Sequence, residues 1–245
     1  MIRWQSIITA DIPSVPVALQ ANACGTHPNL NETIDDVVIY AAARAIDGAG
    51  GVLGQAGPCV LRNQGLLPAL GFMEFDTSDL LALENNGNLL AVITHEIGHV
   101  LGIGTIWELK GQLSGKGTSA PSFNGTRAIA AFDAVGGAGF SGAKVPVENT
   151  GGPGTREAHW RESVMSRELM TGFINTGSNP LSLVTIASLQ DLGYQVDVTK
   201  AEPYSLPFGM LAPGAEQTGI QLIELPPPQP IFVGPDGVLR RTPRE

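Results

Sequence analysis

The chain reads as an α+β fold: strand-like segments, one amphipathic helix, and a mostly irregular C-terminal part that contains one helix. Three observations predict this. Segments with strand-like patterning fall within the first 76 residues, the strongest helical pattern follows them directly, and a Gly- and Pro-rich stretch then runs on to a second helical pattern. With 31 Gly and 18 Pro against 15% charged residues, much of the backbone must be loop. At 245 residues the chain can bury a substantial core, enough for one catalytic domain or two subdomains around a cleft.

Taken in order, Arg3 to Ala10 and Asp36 to Ala43 have the mixed apolar texture of sheet strands, the second equally able to start a helix. Leu70 to Asp76 alternates with the strand period. Residues 88–101 then place Leu89, Ile93, Ile97 and Val100 in one stripe, and Gly102 stands where a positive φ ends a helix. Arg127 to Val135 shows a short helical pattern closed by Gly136 and Gly137, inside a glycine-rich insertion from Ile103 to Glu157. A helix beginning at Ser182 or Leu183 is expected to run to Leu192 and stop at Gly193. Three parts follow: residues 1–102, residues 103–200, and a Pro-rich tail 201–245 expected to lie extended over the surface without a chemical role.

The chemistry is concentrated in Thr94-His95-Glu96-Ile97-Gly98-His99-Val100-Leu101-Gly102, which reads HExxHxxG. Residues four apart on a helix share a face, so His95 and His99 can reach one ion, and Glu96 falls beside it where a base belongs. Their face is turned away from the apolar stripe. A hydrolytic zinc site keeps three protein ligands and one open position, so a third ligand must come from elsewhere. Only His27 and His159 remain. His27 precedes Pro28 in a turn-like stretch and reads as a solvated loop imidazole, which leaves His159 as the better choice.

At this point HEIGHVLG, VPVENTGGPGT, EAHW and ELMTG together resemble the metzincin zinc peptidases, specifically the leishmanolysin-like group, over roughly Arg3 to Asp197. IDDVVIYAAARAIDG and LSLVTIASLQDLGY share the same texture. Common metzincins place the third His soon after the glycine, whereas here Ile103 to Glu157 intervenes, and a long insertion at this point is the leishmanolysin-like feature. The resemblance implies a metzincin-like zincin fold, a mixed, twisted β-sheet with the active-site helix above the mostly irregular C-terminal subdomain, together with one catalytic Zn2+ on His95, His99 and His159, Glu96 as the catalytic base, and Met170 as a Met-turn residue beneath the metal without ligating it. It implies that the strand before the zinc helix, Gly71-Phe72-Met73-Glu74-Phe75, is a sheet edge that pairs with extended substrate, with an interior strand as the alternative. Thr171, Gly172 and Phe173 follow the methionine, so no tyrosine is expected to assist. A backing helix before the first strand is also implied; the resemblance begins almost at Met1, so the expectation is either a truncated or processed form or a lineage that has lost that helix.

The implied reaction is hydrolysis of a peptide bond by a zinc-activated water that Glu96 deprotonates, the proton then passing to the leaving amine. A catalytically silent metal-binding or interaction module and a zinc hydrolase of a non-peptide amide are the alternatives. Because the group is exported, Cys24 and Cys59 are read as a disulfide, with buried free thiols or an inhibitory Cys24 thiolate as other readings. Trp160 is expected to pack and so orient the loop carrying His159.

A net charge of −9 without a basic stripe argues against nucleic acid as a partner. No stretch reaches transmembrane length, and the first residues form no signal peptide as written. The expected state is a secreted or cell-envelope monomer acting on protein or peptide substrates.

Overall fold

The computed structural model describes residues 2–175, 177–207 and 219–241. Its first element is a helix, α1 (Ile2–Ile7), where the sequence suggested a strand. The residues that decide it are Trp4 and Ile7, one turn apart and both buried, with the Trp4 indole N–H donating to the Thr94 carbonyl at 3.0 Å. A hairpin follows from β1 (Val15–Leu19) and β2 (Leu30–Ile34). Then come β3 (Val38–Arg44), β4 (Gly54–Arg62) and β5 (Pro68–Asp76), so the Asp36 to Ala43 segment is resolved as strand.

Asp76 ends β5 and caps α2 (Thr77–Asn85). One of its carboxylate oxygens accepts from the Ser78 N–H at 2.7 Å and the other from the N–H groups of Ile46, Asp47 and Gly48. Four such bonds hold its carboxyl well below the usual carboxylate range, the one from Ser78 contributing most. Next comes α3 (Leu89–Val100), which carries the HExxH motif. It ends in a Schellman arrangement: Ile103 N–H bonds to Gly98 O, Gly102 N–H to His99 O, and Gly102 takes φ +108°.

The insertion forms β6 (Leu113–Ser114), β7 (Ser122–Phe123) and α4 (Thr126–Ala134). A single turn, α5 (Glu162–Met165), the short β8 (Phe173–Ile174) and α6 (Leu183–Leu192) complete the lower part. Ser182 caps α6, and Gly193 at φ +109° stops it where the sequence placed the stop. Helix α4 packs against α6, so the lower part rests on two helices rather than one. Buried Trp107, Phe123, Phe132 and Trp160 fill the space between these elements.

The main sheet also recruits the chain's C-terminal part. Three short strands lie there: β9 (Ile220–Gln221), β10 (Ile231–Val233) and β11 (Leu239–Arg240). The five-stranded order is β11-β10-β4-β5-β3, with β10 parallel to the end of β4 and β3 parallel to β5. The Pro-rich tail is therefore not a surface runner. Leu222, Phe232 and Val233 are buried, and their apolar surface outweighs the prolines that marked the segment as extended. Positions 208–218 and 242–245 of that expectation lie outside the described residues.

The sheet order also corrects the expected substrate edge. Gly71 to Phe75 lie in β5, which is antiparallel to β4 on one side and parallel to β3 on the other, so its backbone groups are already paired. Its side chains are equally committed. Phe72 is core, and Glu74 accepts from Thr26 N–H and from its hydroxyl while pairing with the Arg44 guanidinium at 2.8 Å.

Cys24 and Cys59 form a disulfide, with Cα atoms 5.8 Å apart, that ties the hairpin loop to β4 within a second small core. His27 belongs to the same corner and is buried rather than solvated. It stacks on Tyr40 with ring centroids 5.4 Å apart, and Cys24 N–H donates to its Nε2.

Candidate metal centre

Helix α3 aims two imidazoles at one point. His95 and His99 are both buried, and their Nε2 atoms lie 2.8 Å apart. His159 approaches from the loop after the insertion, with its Nε2 3.0 Å from each of the other two. The opposite ring nitrogens are all occupied. His95 Nδ1 donates to Leu169 O at 2.7 Å, His99 Nδ1 to Ile103 O at 2.9 Å, and His159 Nδ1 to Thr155 O at 2.9 Å. A carbonyl can only accept, so each neutral ring must carry its proton on Nδ1 and present a bare Nε2 lone pair inward.

Three lone pairs packed this closely repel unless a cation sits among them. Nitrogens bound tetrahedrally at about 2.0–2.1 Å to one zinc ion lie roughly 3.3 Å apart. The observed triangle is a few tenths of an ångström tighter, and the three residues fit that ion with little movement. The carbonyl partners are the kind of outer contact that fixes a ligating histidine's tautomer and orientation.

Glu96 sits beside this triangle and is completely buried, and neither carboxyl oxygen has a hydrogen-bond partner. Burial, reinforced by the nearby Glu224 charge, raises its pKa well above the ordinary carboxylate range. A carboxyl left without partners in a dry pocket is costly unless something in the functional state engages it.

The loop half of the site is built from buried carboxylates. Glu168 accepts from the Ser182 N–H and hydroxyl at 3.1 and 2.7 Å, from the Thr185 hydroxyl at 2.5 Å, and from Met170 N–H at 2.6 Å. It thus ties the Glu168-Leu169-Met170 turn to the start of α6. Glu148 accepts from Asn149, Thr150 and Glu162 N–H groups, and its own N–H bonds the His159 carbonyl at 2.8 Å. Trp160 stacks on Trp107 at 4.6 Å and donates to the Thr185 hydroxyl at 2.8 Å, packing that fixes the residue next to His159.

Met170 lies beneath α3 at Gly98, where an added Cβ would fall 2.7 Å from the Met170 sulfur. Only glycine at this helix position lets the methionine in so close. A family model described as leishmanolysin, peptidase family M8, matches residues 19–214, well over half of the chain. The chain belongs to the leishmanolysin family. Membership implies zinc metallopeptidase activity, and the histidine cluster is compatible with it. Comparison with curated proteins gives no match.

One member of the cluster has no place in the sequence reading. The Glu224 carboxylate is buried against all three histidines, 3.3 Å from His95 Nε2, 3.4 Å from His159 Nε2 and 3.5 Å from His99 Nε2. Its residue lies beyond the stretch matched by the leishmanolysin family model. Nothing local to Ile223-Glu224-Leu225 marks it as a metal residue. The one available signal was a lone acid flanked by leucines and isoleucines ahead of three prolines, which reads as an extended strand with one charged position.

Proposed function

We propose that the protein is a zinc-dependent endopeptidase in which His95, His99 and His159 hold the ion and Glu96 acts as base and then acid. One observation carries this reading. Three imidazoles with their Nδ1 protons committed to backbone carbonyls turn bare Nε2 atoms to one point beside a buried carboxyl that has no partner.

When bound, zinc supplies Lewis acidity, lowering the pKa of a water towards ~7 and polarising the scissile carbonyl. The remaining work falls to the chain. Glu96 is fixed on a helix and needs no rearrangement to accept the water's proton. It would then return that proton to the departing amine. Met170, packed against Gly98 on α3, would serve as the apolar floor of the site. No side-chain nucleophile is required. The substrates are proteins or peptides, and the protein works as an exported monomer, a setting in which the Cys24–Cys59 bond persists. No helix among the described residues is long and apolar enough to cross a membrane.

A second reading, a catalytically silent module pinned by structural zinc, gains support from Glu224, because three histidines and a carboxylate complete a closed set of four donors. The orphaned Glu96 carboxyl counts against it, since a structural site has no use for a buried unpaired acid. The deciding assay is cleavage of casein or a quenched peptide that a chelator abolishes and zinc restores. Glu96→Ala should retain about one zinc per chain yet lose cleavage by on the order of 100-fold or more. Undiminished cleavage by Glu96→Ala would sink the mechanism. Mass spectrometry of the products separates a peptidase, which generates new amino termini, from a hydrolase of other amides.

A further inference from the structure

Glu224 reaches the histidines on a stretch of chain that crosses the cleft from wall to wall. On the lower wall, β9 pairs antiparallel with β8, and Leu222 N–H donates to Gly172 O at 2.9 Å. On the upper wall, Leu53 N–H donates to Ile223 O at 2.8 Å and Leu225 N–H to Gly54 O at 3.2 Å, so Glu224 runs parallel to Gly54 as an added strand on β4. The Gln55 amide then holds the Pro226 carbonyl. Side chains alternate as a strand requires: Leu222 and Glu224 are buried, while Ile223 and Leu225 face solvent.

Two glycines admit this segment. A Cβ on Gly154 would overlap the Glu224 carbonyl group, and one on Gly57 would fall 2.6 Å from the Pro227 ring. Because β5 is interior, this stretch of β4 is the sheet margin next to the histidines where an extended peptide could add, and residues 222–226 already occupy it. The carboxylate spacing is equally telling. At 3.3–3.5 Å from three Nε2 atoms, the Glu224 oxygens stand where the fourth corner of a tetrahedron belongs, since ligands about 2.0–2.1 Å from one zinc ion are roughly 3.3 Å apart.

Building on the zinc peptidase reading, we propose that residues 220–227 form a strap that binds the cleft as a substrate strand would, and that Glu224 is the fourth metal ligand that keeps the enzyme latent. With Glu224 in place the ion has four protein donors and no position for water, and Glu96 has nothing to deprotonate. Release of the strap frees both the fourth position and the β4 margin in one step. It also leaves Glu96 and Glu224 no longer confined to one buried pocket, a crowding that the latent form tolerates only while the metal charge is shared.

The test uses the full chain loaded with cobalt(II), whose visible spectrum reports coordination, and a quenched peptide for activity. In the wild type, acetohydroxamate at millimolar concentration should leave the cobalt spectrum unchanged, because no position is free. In Glu224→Ala it should shift the spectrum at unchanged metal content, and kcat/KM should rise by on the order of 10-fold or more. Gly57→Ala, which pushes on Pro227 without touching any ligand, should move both readouts the same way, and it serves if Glu224→Ala fails to fold. A synthetic peptide of residues 220–228 should inhibit Glu224→Ala, and its Glu→Gln version should not. Identical spectra and hydroxamate responses in the wild type and both variants would overturn the ligand assignment. A spectral change in the variants without a gain in cleavage over an active wild type would overturn latency. If the spectra change but no variant cleaves any peptide, Glu224 stands as a ligand and the peptidase reading falls.

Discussion

The two histidines on α3 and the third on the loop meet at one point but are held there in different ways. His95 and His99 owe their positions to helix geometry: a spacing of four residues, an apolar stripe seated on β4 and β5, and a Schellman stop at Gly102. The buried Glu224 carboxylate faces their Nε2 atoms, but the backbone that carries them is satisfied by the helix itself. His159 sits on irregular backbone between Thr155 and α5, and it is placed by Glu148, Glu168 and the Trp160–Trp107 stack. The comparison teaches that a short-range geometric rule can aim two imidazoles at one point, whereas a histidine on a loop needs a framework of buried acceptors to satisfy backbone that has no secondary structure of its own.

The hardest blow to that framework is Glu168→Leu. It leaves the Met170 N–H, the Ser182 N–H and hydroxyl, and the Thr185 hydroxyl without their acceptor in a buried site. The expected cost is on the order of 3–5 kcal/mol in urea unfolding of the zinc-loaded protein. Zinc affinity should fall as well, because Leu169, which follows Glu168, supplies the carbonyl that holds His95 Nδ1. A loss below about 1 kcal/mol would show that the loop half does not depend on buried carboxylates.

A pH scan probes the same asymmetry with a smaller effect. Burial pushes the Glu162 carboxyl, on the turn just after His159, up to about 7, and one of its oxygens has no partner. Its folded-state pKa lies above the unfolded value of 4.5, so the folded chain binds the extra proton between these values. The stabilisation is therefore full below about pH 4.5 and is lost as pH rises through 7, by up to about 3 kcal/mol. Comparing wild type with Glu162→Gln at pH 5 and pH 8 isolates this group, because every other group is common to both proteins. The wild type should lose more stability than the variant over that interval. Parallel declines would mean that Glu162 is not a buried proton reservoir.

The same division explains what could be read from the sequence. The HExxH helix, its end at Gly102 and the α6 stop at Gly193 obey rules that act over a few residues, and they stand where the pattern put them. His159 needed more than local pattern, because only family texture in EAHW and ELMTG tied it to a helix far away in sequence. Edge status was illegible: whether Gly71 to Phe75 faces a partner depends on which strands lie on either side, and β3 is recruited across a parallel connection. Glu224 was the least visible. The contacts of its segment with β4 and β8 are made entirely over long sequence separations, and the prolines nearby signal a stiff extended chain rather than the burial of Leu222 and Phe232. Arg3 to Ala10 departs from its strand-like texture for the same reason, since Trp4 and Ile7 become one helical face only when α3 and the core are there to receive them.

The helix half has a weak point of its own, and its effect should be the smallest of the three. Gly102 takes φ +108°, where an L-residue is strained by about 1–2 kcal/mol, and an added Cβ would stand 2.6 Å from the Ile106 side chain. Gly102→Ala should therefore destabilise by roughly that amount in urea unfolding. The informative readout is the rate at which a chelator strips the metal. Gly102 directly precedes Ile103, whose carbonyl fixes the His99 ring, so a shifted helix end should loosen one ligand and quicken zinc loss, on the order of 10-fold. The Gly102→Ala effect on unfolding should be nearly the same at pH 5 and pH 8, since neither Gly102 nor Ile106, the side chain that an added Cβ meets, titrates. A strong pH dependence there would mean that the two halves share one polar framework, and the contrast between a geometric half and a carboxylate-built half would not hold.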